Sequence, residues 1–344
     1  GINVKIIIYS QNLVSMDGVG NSSIYFKNLL KSFVDVELVA NYSNINGVVN
    51  FKEYIKKHNY NNILFYHYSI EDINLKILLK LKFKKRIIFY HGITPPKFFS
   101  YGSELFNNCK KGLSDINLLN EFDLYISNST ESKNQFLNKV NNNFIDSENF
   151  IIMPPIDLFL IKKKQYKNKS LKSEINFYYC GTFSKHKNVN SLLELFNKNQ
   201  TSQSKLSIFT SSSKVDCMNY LGNDKYREFL KNGIYFFHQL EDEKLNNNLR
   251  TMNCFITLSL HEGFCIPLFN SIDNFNPVLS FPLKCLQDYF PKKYKYISHN
   301  DDYEEIQKKY LYNQEHIYQF RKFIKEKAKG FTQTGLNKIK NIIV

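Results

Sequence analysis

Short apolar runs rich in β-branched and aromatic residues alternate along this chain with segments carrying a helical stripe, and the alternation occurs twice. In the first half the runs fall at 4–10, 36–40, 63–68, 86–91, 124–129 and 150–153. Each has strand length and is apolar at successive positions, which suits strands buried on both faces. Between the first two, Phe26, Leu29, Leu30 and Phe33 recur at i, i+3, i+4, i+7, the stripe of an amphipathic helix. Strand, helix, strand in that order predicts parallel pairing through a crossover, hence a doubly wound sheet. The pattern restarts at 175–180 and continues at 206–210, 234–237, 255–259, 278–281 and 294–298, with Val189, Leu192, Leu193 and Phe196 repeating the helical stripe after the first of these strands. The expectation is an α/β chain of two Rossmann-like domains: 1–160, then 174–319, joined by a basic linker at 161–173 that follows Pro154-Pro155. From Tyr303 onward the composition is helical, with a break expected at Gly330 and the last part, 320–344, packing back on the first domain.

A chain of 344 residues accommodates two such domains, and a hydrophobic share of 43% with 23 Tyr and 30 Phe excludes a disordered polymer. No apolar stretch reaches the roughly 20 residues of a membrane span, and the opening GINVKIIIYS reads as a strand rather than a signal peptide, so a cytoplasmic location is expected. The six cysteines show no paired metal spacing and read as buried thiols. A net charge of +15 asks for an anionic partner: nucleic acid, anionic lipid or nucleotide-sugar phosphates. Nucleic acid ranks last, because the basic residues are overwhelmingly Lys and form no motif interleaved with aromatics. Residues 75–86 read as a helix that sets Lys76, Lys80, Lys82, Lys84, Lys85 and Arg86 beside Leu75, Leu78, Leu79 and Leu81, a pattern that suits an anionic membrane surface or, equally, an ordinary crossover helix with a solvated lysine face.

Open α/β sheets bind ligands beyond the carboxyl ends of their strands, so candidate site residues are sought there. After the first strand, Gly18 and Gly20 precede a helix expected to begin near Asn21, a turn that lets backbone approach an anion. The fourth run ends in YHGITPP, placing His91 at a strand end, while His67 reads as structural. In the second half, GTFSKHKN places Gly181 at a strand end and Lys185 and Lys187 just before a helix, where cations and free N–H groups suit a diphosphate. The stretch SLHEGFCIPLFN sets Glu262 and the amides of Gly263, Phe264 and Cys265 after another strand, where a carboxylate accepts hydrogen bonds from sugar hydroxyls. A solvated basic turn and a packed core histidine are the structural alternatives for these positions.

Together GVG, YHGITPPKFF, GTFSKHKN and HEGFCIPLFN resemble the retaining GT-B enzymes of glycosyltransferase family 4, in particular those of bacterial surface-polysaccharide assembly. The resemblance covers nearly the whole chain. It implies two Rossmann-like domains facing each other across a cleft, the first binding the acceptor and the second the nucleotide-sugar, with no essential metal. It also implies a donor that is GDP-mannose or a UDP-sugar, a glycan or polyprenyl-linked acceptor, and a peripheral place on the inner face of the cytoplasmic membrane. Carried over by position, His91 matches the histidine near the transferred sugar, Gly20 the glycine near the donor diphosphate, Lys187 the diphosphate lysine and Glu262 the first glutamate of an E-x7-E motif. The sequence departs from the family at three places: Asn270 replaces the second glutamate, His186 stands where arginine is usual, and Cys265 follows Gly-Phe in place of glycine. These departures leave a rival reading open, a catalytically silent GT-B subunit that binds glycan or stabilises a partner; an epimerase or inverting transferase also fits the fold.

Overall fold

The structure, a computed structural model, describes residues 4–15, 17–141, 145–160, 174–199 and 204–344; the basic stretch 161–173 lies outside the described residues. The chain divides into two compact units: Gly1–Asp157 with Lys327–Val344, and Leu158–Glu326.

Unit 1 runs β1 (Lys5–Leu13), α1 (Gly18–Leu30), β2 (Asp35–Ser43), β3 (Val49–Asn50), α2 (Phe51–Lys56), β4 (Ile63–Tyr68), α3 (Leu75–Lys80), β5 (Lys85–Tyr90), α4 (Glu104–Asp115), β6 (Leu124–Ser127), α5 (Thr130–Lys139) and β7 (Phe150–Ile152). The sheet order is β3-β2-β1-β4-β5-β6-β7, and each neighbouring pair is parallel. Alternate residues of each strand feed opposite faces. Ile7, Tyr9, Leu64, Tyr66 and Ile88 pack with Phe136 and Phe150 on one side, whereas Ile6, Ile8, Phe65 and Phe89 pack with Phe26, Leu30, Met153 and Ile339 on the other. Both faces are covered, which is why the strands read as nearly continuous apolar runs.

Unit 2 runs β8 (Ile175–Cys180), α6 (Val189–Lys198), β9 (Ser204–Thr210), α7 (Lys214–Leu221), α8 (Asn223–Lys231), β10 (Tyr235–His238), α9 (Asp242–Leu249), β11 (Cys254–Ile256), α10 (Ile266–Asp273), β12 (Val278–Leu279) and α11 (Tyr303–Glu315). Its sheet is parallel, in the order β10-β9-β8-β11-β12. The stripe Val189, Leu192, Leu193 and Phe196 is buried, as its spacing predicts. The last helix, α12 (Ile317–Ile343), starts in unit 2 and ends in unit 1.

Four local expectations are corrected. Helix α12 is continuous through Gly330, because a single helical glycine costs only about 1 kcal/mol against alanine and the buried residues Phe320, Ile324, Ala328 and Ile339 hold the helix on both sides of it. Residues 294–298 form no strand. Instead the Lys295 N–H donates to Asn313 Oδ1 at 3.1 Å, and Asn313 Nδ2 returns a bond to the Lys295 carbonyl at 2.9 Å. Helix α1 begins at Gly18 rather than near Asn21 and ends at Leu30, leaving Phe33 beyond it and 39% exposed. Residues 75–86 are not one helix: α3 stops at Lys80, Leu81 is extended and β5 starts at Lys85. Leu75 and Leu78 are core residues, with Leu79, Leu81 and Phe83 packed against that core. The Arg86 guanidinium caps the carbonyls of Leu79 and Leu81 at 3.0 and 2.8 Å. The apolar side of this stretch is thus used internally, while Lys76, Lys80, Lys82 and Lys84 remain exposed.

Candidate functional site

In unit 2 the strand that starts the fold, β8, has β9 on one side and β11 on the other, so the connection direction reverses between β8 and β11. In open α/β sheets such a reversal is where ligands bind, at the carboxyl ends of the two strands. The loops leaving them carry Lys187 and Glu262, which the structure brings together: Lys187 Nζ donates to Glu262 Oε1 at 2.9 Å and to Oε2 at 2.8 Å. The Glu262 side chain is 6% exposed and that of Lys187 23%. Burial disfavours the ammonium, yet the adjacent carboxylate outweighs it and the lysine pKa ends raised.

Local backbone explains why the two loops meet. Lys185–Lys187 form one 3-10 turn, and Asn188 takes a left-handed conformation (φ 55°, ψ 36°) that turns the chain into α6. Its Nδ2 donates to the Leu258 carbonyl at 3.0 Å, and the Leu260 N–H donates to the His186 carbonyl at 2.8 Å. The carboxylate has a second support. Ser259 Oγ lies 2.8 Å from Glu262 Oε1 and 2.8 Å from Thr257 Oγ1. A carboxylate only accepts, so the single Ser259 proton goes to Glu262 and the Thr257 proton to Ser259. The result is a buried relay, Thr257 to Ser259 to Glu262, that fixes the carboxylate orientation.

The other residues of this region fall into place around the pair. Lys185 is exposed; His186 is half-buried, lies 3.2 Å from Ser184 Oγ through Nδ1, and is lowered to about 4 by burial and then by Lys187. Gly181 follows β8, where a Cβ would come within 2.7 Å of the Tyr179 hydroxyl that donates to the Thr182 carbonyl. The Phe264 ring stacks on Phe269 at 4.4 Å and 5° in the core, so only the backbone of Gly263 and Phe264 remains for a ligand. Cys265 caps α10 with φ 24°, and burial pushes its thiol well up. Asn270 lies exposed on α10.

In unit 1, His91 directly follows β5. Its N–H donates to the Tyr68 carbonyl at 3.0 Å, and its own carbonyl accepts from Asn128 Nδ2 at 3.1 Å. Its Nε2 lies 2.7 Å from His67 Nδ1, and burial lowers the His91 pKa to about 3. Gly18 and Gly20 lie in the first turn of α1. A Cβ on Gly20 would meet the Val14 carbonyl oxygen at 2.1 Å, whereas Gly18 has open space. The glycine is therefore required by the chain's own strand exit, whatever else it contacts. A further polar cluster, with Tyr9 and Tyr66 donating to the two oxygens of Asp72 at 3.1 and 2.7 Å, is closed on itself.

Sequence reasoning missed Thr257, Ser259 and Asn188; His67, expected to be structural, is buried in unit 1. The signals were present: TLSLHEG places two hydroxyls at alternate positions before the glutamate, and FYHY at 65–68 repeats FYHG at 89–92 in neighbouring strands. Among the described residues no group of three or more His, Cys, Asp and Glu could hold a metal ion, and no helix is long and apolar enough to cross a membrane.

Comparison with known proteins bears on both units. Residues 161–329 match the family described as Glycosyl transferases group 1. No curated protein matches the chain. Among solved structures the chain is similar to sucrose-phosphate synthase from Thermosynechococcus elongatus, with 13% identity, a TM-score of 0.67 and coverage of 98% of this chain and 96% of that one. It is also similar to the E. coli structure described as trehalose-6-phosphate bound with UDP-2-fluoro glucose, with 10% identity, a TM-score of 0.63 and coverage of 98% and 99%. A third is the lipopolysaccharide outer core galactosyltransferase WaaB in its apo form, with 12% identity, a TM-score of 0.60 and coverage of 98% and 99%. The chain thus has the α/β, two-Rossmann architecture of GT-B glycosyltransferases, and residues 161–329 match the glycosyl transferases group 1 family.

Proposed function

We propose that this chain is a retaining, metal-independent glycosyltransferase of family 4 type that moves a sugar from a nucleotide-diphosphate sugar to a glycan or polyprenyl-linked glycan in bacterial surface-polysaccharide assembly. The observation that carries the reading is the Lys187–Glu262 pair at the carboxyl ends of β8 and β11, inside the matched domain. The Lys187 ammonium has three protons. Two go to Glu262, and the third is left for a phosphate oxygen. Glu262, held by Ser259, retains lone pairs for sugar hydroxyls. In this reading the donor, GDP-mannose or a UDP-sugar, reacts by front-face displacement. The bond between anomeric carbon and diphosphate oxygen breaks, the acceptor oxygen bonds on the same face, and its proton passes to the leaving phosphate. The protein supplies position and charge stabilisation, with no carboxylate nucleophile. His91 would lie near the transferred sugar, and Asn270 near the ribose.

The +15 charge would hold the protein at an anionic membrane surface through exposed lysines alone, since the leucines of residues 75–86 are committed to the core. Such attachment is salt-sensitive: anionic vesicles should sediment the protein, neutral ones should not, and salt should release it. One observation favours the rival, a silent subunit: Lys187, the lysine expected to hold the diphosphate, is already paired with Glu262. A thermal-shift panel of GDP, UDP, ADP and their sugars separates the two. Stabilisation by one nucleotide-sugar class, lost in Lys187→Ala, supports the transferase; no shift with any member supports the subunit.

A further inference from the structure

Parallel pairing of β4 with β5 places His67 opposite Phe89, and side chains alternate, so His67 and His91 emerge on the same face at the end of the sheet. Their rings have centroids 5.0 Å apart and planes 30° apart, with His67 Nδ1 2.7 Å from His91 Nε2. At that nitrogen separation, rings whose centres lie so far apart meet edge to edge, not face to face. The contact is an in-plane hydrogen bond. His67 is only 3% exposed, surrounded by Phe26, Phe65 and Phe89 with centroids at 5.8, 5.1 and 5.7 Å, and its Nε2 is buried without a partner.

Two neutral arrangements satisfy one proton between these nitrogens. If His91 donated, His67 would have to carry its own proton on Nε2 and bury an unpaired N–H in an aromatic cage. If His67 donates from Nδ1, only a lone pair is left dry, and unpaired buried N–H groups are the rarer and costlier case. We propose that His67 is a positioning residue: it donates Nδ1–H to His91 Nε2, fixing His91 as the Nδ1–H tautomer that offers a neutral hydrogen-bond donor to an uncharged oxygen, such as a sugar hydroxyl. Burial lowers both imidazoles, His91 to about 3, so both are neutral near pH 7. A neutral donor selects for a hydroxyl over a phosphate, because it brings no charge to compensate an anion. Only this last step rests on the proposed transferase activity.

The test uses the full-length protein with labelled histidines and long-range 15N–1H correlation spectra, which read the tautomer directly and need no substrate. Three forms are compared: wild type, His67→Phe, which fits the cage but cannot donate, and His67→Asn, whose amide can donate from near the Nδ1 position. Wild type should show His91 protonated on Nδ1, and His67→Phe should move it toward Nε2–H. His67→Asn should restore Nδ1–H. With an identified donor sugar, His67→Phe should lower kcat about five- to tenfold with little change in KM, and His67→Asn should recover most of the loss. His91 carrying Nε2–H in wild type, or keeping Nδ1–H in folded His67→Phe, overturns the inference. A chain with no transfer activity overturns the transferase reading and leaves the tautomer result standing.

Discussion

Replacing Lys187 by Met keeps the aliphatic stem and deletes the ammonium that bonds both oxygens of Glu262. The carboxylate, 6% exposed, would retain only the Ser259 hydroxyl at 2.8 Å. Breaking a buried ion pair by removing one partner costs roughly 3–5 kcal/mol, and the 23% exposure of the Lys187 side chain admits water to the vacated place, so a cost of about 2–3 kcal/mol is expected. Glu262→Gln should cost less, about 1–2 kcal/mol, because the amide still accepts from Ser259 and the lysine end can reach solvent. In the double variant no buried charge is stranded, so the two losses should not add, and a coupling of about 1–2 kcal/mol is expected. The chain has no Trp, so urea denaturation followed by far-UV circular dichroism is the suitable assay. Losses that sum to within about 0.5 kcal/mol would refute the claim that the pair is a buried, mutually dependent unit.

Gly20→Ala should destabilise by about 2 kcal/mol or more, since its Cβ would press on the Val14 carbonyl at 2.1 Å, while Gly18→Ala, with open space in the same helical turn, should be neutral or stabilising by up to about 1 kcal/mol; thermal denaturation compares them. The folded His91 pKa of about 3 lies below the usual value near 6.5, so the unfolded chain binds the extra proton and this contribution is complete above pH 6.5 and lost as pH falls toward 3. The loss amounts to about 2 kcal/mol at pH 5, and His91→Gln should therefore lose about that much less stability than wild type between pH 7 and 5. Asn270→Glu should keep or raise nucleotide-sugar affinity if the position faces ribose hydroxyls; complete loss of binding in calorimetry would mean the pocket is built around the amide.

The βαβ order was legible because strand and helix periods differ and each sheet is covered on both faces, as in the buried stripe of α6. What failed were places where non-local packing decided the outcome. Nothing local in residues 75–86 says that the leucines turn inward and that Arg86 caps the end of α3. Nothing local in residues 294–298 says that Asn313 takes both backbone groups of Lys295. In the candidate site, Lys187 and Glu262 were each visible from strand-end position, yet their partnership spans 75 residues and depends on the adjacency of β8 and β11. Gly20 was legible as special, but its reason is an intrachain contact with Val14.

We propose that the pair at the ends of β8 and β11 handles a nucleotide-diphosphate sugar. The most direct test is phosphorus NMR of the purified protein with GDP-, UDP- and ADP-sugars and a mixed glycan acceptor, following the appearance of free nucleoside diphosphate. Turnover of one nucleotide class by wild type is expected, with a fall of about a hundredfold in Glu262→Gln, from the loss of a fixed, charged acceptor at the sugar. Equal turnover by wild type and Glu262→Gln, or no nucleoside diphosphate from any donor, would contradict it.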